Sequence, residues 1–84
     1  MYELHIRRQA VKDIARLPDK YPRLVAERID QLVQNPRPST VKKLVGAEGY
    51  RLRVGQYRIL YEIDDTNQVV TILRVKHRRD AYRR

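Results

Sequence analysis

Over residues 50–61 apolar and polar positions alternate on either side of a Gly55-Gln56 break, the pattern of two strands joined by a two-residue turn. Glycine as the first central residue suits a type II′ turn, which requires positive φ at that position. With Gly55 and Gln56 as the turn, Val54 faces Tyr57, Arg53 faces Arg58, Leu52 faces Ile59, Arg51 faces Leu60 and Tyr50 faces Tyr61. One face of this hairpin carries Tyr50, Leu52, Val54, Tyr57, Ile59 and Tyr61 and calls for helices to cover it. The other face carries Arg51, Arg53 and Arg58.

The rest of the chain supplies those helices and more sheet. Residues 2–7 alternate, with Tyr2, Leu4 and Ile6 on one side and Glu3, His5 and Arg7 on the other, as in a half-buried strand; His5 reads as an ordinary exposed residue. From Arg8 the period becomes helical through Ala10, Val11, Ile14, Ala15 and Leu17, and Pro18 stops it. A second helix restarts at Asp19-Lys20-Tyr21-Pro22, buries a stripe of Val25, Ile29, Leu32 and Val33, and ends at Asn35-Pro36-Arg37-Pro38. Residues 39–49 read as a loop with a basic Lys42-Lys43 pair, an anchoring Leu44 and turn glycines at Gly46 and Gly49. Asp64-Asp65-Thr66-Asn67 is a turn, and residues 69–75, apolar apart from Thr71 and Arg74, read as the central strand. A short helical turn follows it. The expected order is β-α-α-β-β-β, an α+β domain with an antiparallel sheet and a helical hairpin on one face, and the whole of residues 1–84 forms one domain.

Charge turns attention to the arginine face. Nineteen basic residues against ten acidic give +9, and 14 of the 19 are arginine. Such a balance points to a polyanionic partner, and arginine adds a planar fork of donors matched to phosphate. Arg53 opposite Arg58 sets like charges across a strand pair, which destabilises it; a broken local rule of this kind marks a functional site. The competing reading is a solvated basic face in which Glu62 pairs with one arginine. At 84 residues the chain has one small core, so any site is an open groove. There is no cysteine, which removes disulfides, thiolate metal ligands and a thiol nucleophile. Two histidines, His5 and His77, make a histidine-rich metal site an unpromising reading. No segment has the length of a membrane span and no signal-peptide core is present, so a cytoplasmic protein is expected.

The ordered set Lys12-Asp13-Ile14-Ala15-Arg16-Leu17-Pro18, Asn35-Pro36-Arg37-Pro38, Lys43-Leu44 with Gly46, the 50–61 hairpin and Val75-Lys76-His77-Arg78-Arg79-Asp80-Ala81-Tyr82 resembles the RelE branch of the RelE/ParE toxin–antitoxin superfamily. That resemblance implies a RelE-like fold of the microbial-RNase type and an endoribonuclease that cuts messenger RNA in the ribosomal A site. It implies attack by the substrate 2′-hydroxyl on the adjacent phosphate with no metal or small-molecule cofactor, and a cognate acidic antitoxin as partner. On the family pattern Arg51, Arg53, Arg58, Arg78 and Tyr82 are the site residues. Arg53 and Arg58 would hold the scissile phosphate, Arg78 would sit by the leaving oxygen and Tyr82 would stack on the opened nucleotide. Lys42, Lys43, Lys76 and Arg79 are candidate RNA contacts. The family commonly has lysines at the positions of Arg51 and Arg53, and arginine makes a poor general base. His77 is then the first choice for proton transfer, with a helix-capping role as its alternative, and Lys42 and Glu48 are lesser candidates. Two other functions compete: a ParE-like inhibitor of DNA gyrase without enzymatic activity, and a nucleic-acid-binding module with no chemistry.

Overall fold

The structure, a computed structural model, describes residues 1–43 and 49–81. Its elements are β1 (Glu3–Ile6), α1 (Arg8–Ala15), α2 (Tyr21–Gln34), β2 (Lys42–Lys43), β3 (Tyr50–Val54), β4 (Tyr57–Asp64), β5 (Val69–His77) and α3 (Arg78–Ala81). The five strands form one sheet in the order β1-β5-β4-β3-β2. The β3–β4 hairpin has the register expected from its alternation, Arg53 opposite Arg58 and Tyr50 opposite Tyr61.

Three features of the sheet differ from the expectation. Strand β1 joins β5 in parallel, Glu3 opposite Val69 and Ile6 opposite Ile72, so the sheet is mixed and not wholly antiparallel. Local alternation carries no information about the direction of a partner more than sixty residues away. The Lys42-Lys43 pair is a short edge strand against Arg51 and Tyr50 and not a loop. Strand β4, not β5, lies in the middle. The apolar run in β5 comes from a bulge: Leu60 opposes Arg74 and Tyr61 opposes Ile72, leaving Leu73 as the extra residue. The bulge resets the alternation, so Val70, Ile72 and Val75 all reach the core.

Helices α1 and α2 cover one face. Ala10, Val25, Ile29 and Leu32 pack with Leu52, Val54, Ile59, Tyr61, Val70, Ile72 and Val75 into a single core. Val11, counted in the α1 stripe, is 52% exposed, so the buried face of α1 is narrower than its sequence pattern. Among the described residues no helix is long and apolar enough to cross a membrane.

Candidate functional site

The hairpin turn places the site. Gly55 has φ of 58° and Gln56 is not in the left-handed region, the combination a type II′ turn requires. A Cβ at position 55 would lie 2.5 Å from the Tyr21 hydroxyl oxygen, so Tyr21 closes over the turn only because residue 55 has no side chain. The Tyr21 hydroxyl accepts from the Gln56 N–H at 3.4 Å. Its ring meets that of Tyr57 at 4.7 Å, and Tyr57 meets His77 edge-on at 5.4 Å. The Arg78 N–H donates to the Gln56 carbonyl at 2.6 Å, which ties the start of α3 to the same turn.

Register then assembles a row of cations. Arg53 opposes Arg58, and Arg58 opposes Lys76, across three neighbouring strands. Such a row weakens the pairing that holds it. Arg58 is only 7% exposed, and its Nη1 donates to the carbonyls of Gly55 at 3.3 Å and Tyr57 at 3.0 Å. These two carbonyl dipoles offset part of the repulsion and hold the side chain in place. Among the described residues no carboxylate forms an ion pair with Arg53, Arg58, Lys76, Arg78 or Arg79. Glu62, the candidate partner for an arginine, borders a different cavity at the far end of the sheet with His5 and Asp65.

Arg53, Gln56, Arg58, His77, Arg78 and Arg79 line one open groove of about 660 Å³. On its other flank, Arg51 and Lys42 join Arg53 and Arg58 in an adjoining groove of about 540 Å³. Of the expected site residues these are brought together; Lys76 stands opposite Arg58 in register but lines neither groove, bordering a cavity with Asp13, Arg74 and Asp80 instead. Lys43 is not: it borders the far cavity with Glu62. Adjacent strand residues point to opposite faces, so Lys42 and Lys43 part company as soon as they form a strand. Tyr82, Glu48, Leu44 and Gly46 lie outside the described residues.

His77 occupies an ambiguous place. It opposes Tyr57 in register, on the side of the sheet away from the cation row, yet as the last residue of β5 it also borders the arginine groove. Its Nδ1 accepts the Arg79 backbone N–H at 3.2 Å, so the capping role is present. A neutral imidazole that accepts through Nδ1 carries its proton on Nε2. The ring therefore offers the groove a donor, and it can serve as a base through Nε2 only by giving up the cap.

Elsewhere arginines meet acids. Asp13 of α1 is buried to 9% side-chain exposure and accepts from Arg74 Nε at 2.8 Å, Arg74 Nη2 at 3.2 Å and the Val75 N–H at 2.9 Å. Burial pushes its carboxyl up, but these hydrogen bonds and one from Gln9 outweigh burial and leave it below the ordinary carboxylate value. Arg37 donates to both oxygens of Asp65, at 3.1 and 2.9 Å, and through Nε to the Tyr50 hydroxyl at 3.1 Å; Tyr2 also donates to Asp65, at 2.8 Å. The Arg37 hydrogen bonds lower the Asp65 carboxyl. The Tyr61 hydroxyl is buried against the Pro36 carbonyl at 2.6 Å, and burial pushes its ionisation well above the usual tyrosine range. No local signal in the sequence announces these long-range pairs; a lone acid in a basic helix, such as Asp13 in α1, is the only hint.

The chain matches the family model described as ParE toxin of type II toxin–antitoxin system, parDE, over residues 4–82. It is 36% identical to Toxin RelG of Mycobacterium tuberculosis over 88 residues, which cover 99% of this chain and 98% of that one. Among solved structures, the archaeal RelE–RelB complex from Pyrococcus horikoshii contains a chain that superposes with a TM-score of 0.82 at 35% identity, covering 92% of this chain and 94% of the other. The toxin–antitoxin complex RelBE2 from Mycobacterium tuberculosis gives 0.80 at 34%, over 90% and 96%. A sheet with this strand order, two helices over one face and a match in sequence from end to end make the chain a RelE-like member of the RelE/ParE superfamily of type II toxin–antitoxin toxins.

Proposed function

We propose that the protein is a messenger-RNA endoribonuclease of the RelE kind, acting in the ribosomal A site. The observation that carries this reading is the groove at the hairpin end, bordered by Arg53, Arg58, Arg78 and Arg79 with no carboxylate ion-paired to any of them among the described residues. The relatives with RelE names point the same way.

In this mechanism the substrate 2′-hydroxyl attacks the adjacent phosphorus. The O–P bond to the 5′-oxygen of the next nucleotide breaks, the 2′-oxygen gives its proton to a water molecule, and the 5′-oxygen takes one from solvent. Arg53 and Arg58 hold the non-bridging oxygens, whose charge grows as the phosphorane forms, so their contacts strengthen in the transition state. Arg58 is preorganised for this by its bonds to Gly55 and Tyr57. Arg78 would lie by the leaving oxygen, and the Nε2–H of His77 would stabilise that oxygen with a hydrogen bond. Arg51, Lys42, Lys76 and Arg79 contact the flanking strand, and Tyr82 stacks on the opened base. No step calls for a metal or small-molecule cofactor.

The partner is a cognate antitoxin with an acidic, partly disordered segment that folds over the basic groove, as electrostatic complementarity with a +9 surface favours. Both partners are cytoplasmic. Expression of the chain alone arrests growth by stopping translation.

The test is to add purified protein to ribosomes programmed with a defined message and map the ends. Cleavage with new 5′-hydroxyl ends, unaffected by EDTA once the ribosomes are stabilised, is the expected result. The ParE name of the family model is the observation on the side of gyrase inhibition. Intact message together with blocked gyrase supercoiling would establish that reading instead.

A further inference from the structure

The groove on the far flank of Arg53 and Arg58 is not needed to grip one phosphate, yet it is built from cations. Arg28 reaches it from α2, Lys42 from the β2 edge and Arg51 from β3, with the hydroxyls of Ser39 and Thr40 beside them. Among the described residues that line it there is no acid. Among the described residues Arg28 has no ion pair, and its neighbours on the helix show why that is notable: Arg23 pairs with Glu27 one turn on, whereas Arg28 borders the groove. The geometry of the edge makes room for it. Among the described residues β2 pairs with β3 only at Tyr50 and Arg51, and the groove continues past Arg53 to Gly55. Arg53 and Arg58 line both grooves, so the two are continuous around that pair.

We infer that this flank is a second phosphate subsite, in which Arg28, with Thr40 and Lys42, holds the backbone of the same RNA strand one or more nucleotides away from the scissile phosphate. The inference rests on the nuclease reading and extends it to a residue of α2 that no hairpin or tail motif includes. Guanidinium, ammonium and two hydroxyls form a donor set suited to phosphodiester oxygens, and they carry no base-reading geometry. The subsite therefore gives grip and register along the strand without sequence preference. It also makes strand length matter: a substrate too short to span both grooves forfeits the second contact.

The experiment uses the whole protein and uncleavable 2′-O-methyl oligouridylates of two to eight nucleotides, with affinity measured between 50 and 200 mM salt. Wild-type affinity should rise with length and then level off. Arg28→Ala should lose most of that gain, and its log-affinity against log-salt slope on the longest oligomer should be shallower by about 0.7, the value for one phosphate contact on a single strand. Arg23→Ala on the same helix, outside the groove, is the control and should behave as wild type. Arg28→Lys should recover the salt slope. If Arg28→Ala matches wild type at every length while Arg58→Ala binds weakly, the second subsite is wrong and the nuclease reading stands. If free oligomers are indifferent to Arg28→Ala but ribosome binding falls, the groove meets ribosomal RNA and not the substrate strand, which overturns the inference as stated. If Arg28→Ala weakens only binding of an acidic peptide, the groove is a protein-docking surface and the inference fails. Wild-type protein that binds no oligomer and cuts no message on the ribosome would sink the nuclease reading itself.

Discussion

At the end of the sheet that holds the β4–β5 turn, Arg37 is clasped by Asp65, stacked 5.3 Å from the Tyr50 ring centroid and joined through Asp65 to Tyr2. At the hairpin end, Arg53, Arg58 and Lys76 stand in one row with carbonyl dipoles for company. Asp13 and Arg74 show the first pattern again where α1 meets β5. The same side chain thus serves as a brace where an acid answers it and, on the proposed mechanism, as a phosphate grip where none does. Arg58 is the intermediate case: it is fixed in place like a brace and is more buried than Arg37 or Arg74, but its anchors are carbonyls, which hold the guanidinium without cancelling its charge.

Substituting Arg58 by alanine tests that contrast most strongly. On the proposed mechanism it removes a contact that tightens as the phosphorane forms, so single-turnover cleavage on programmed ribosomes should fall by about 10²–10³. From the hairpin sequence alone the mutant would be as stable as the parent or more so, since a like-charge pair is relieved. The bonds to Gly55 and Tyr57 change that expectation: melting should show a loss of about 1 kcal/mol, the net worth of such hydrogen bonds, reduced by the relieved repulsion. Normal cleavage with a large loss of stability would make Arg58 a brace like the others.

Asp13→Ala should give the reverse. It leaves the Val75 N–H and the Arg74 guanidinium without their acceptor, at about 1–3 kcal/mol, while cleavage by the protein that remains folded is unchanged. The pH dependence has a definite sign. Asp13, Asp64 and Asp65 all have folded-state values below the ordinary one. Their contribution is complete above the carboxylate range, about pH 4, and is lost as pH falls through the lower folded-state values. Asp13→Asn should therefore flatten the acid limb of a stability–pH curve, and a limb as steep as wild type would remove Asp13 as its source.

Tyr61→Phe should cost about 0.5–1.5 kcal/mol through the lost hydrogen bond to Pro36, with cleavage intact. Arg37→Ala should have the smallest effect, because its pair with Asp65 is solvated: a slight fall in melting temperature that shrinks further in high salt. A large fall there would show that the exposed network organises the end of the sheet and does more than decorate it.

Much of the molecule was readable from residues 50–61 alone. Alternation with period two, and a glycine where φ must be positive, set the hairpin, its register and the Arg53–Arg58 opposition, because each depends on neighbours within a few residues. Helical spacing placed α1 and α2, and the stops at Pro18 and at Asn35-Pro36 bounded them. Only the tertiary structure decided that β1 runs parallel to β5, that Leu73 bulges, and that Lys43 turns away from the groove while Lys42 turns towards it. It alone brought Lys76 into the cation row and set Arg28 in one groove with Arg51. Each of these depends on which distant segment fills the neighbouring place in the sheet or across its edge. Local periodicity reports a residue's own face, and the identity of what lies against that face is settled by how the whole chain buries its core.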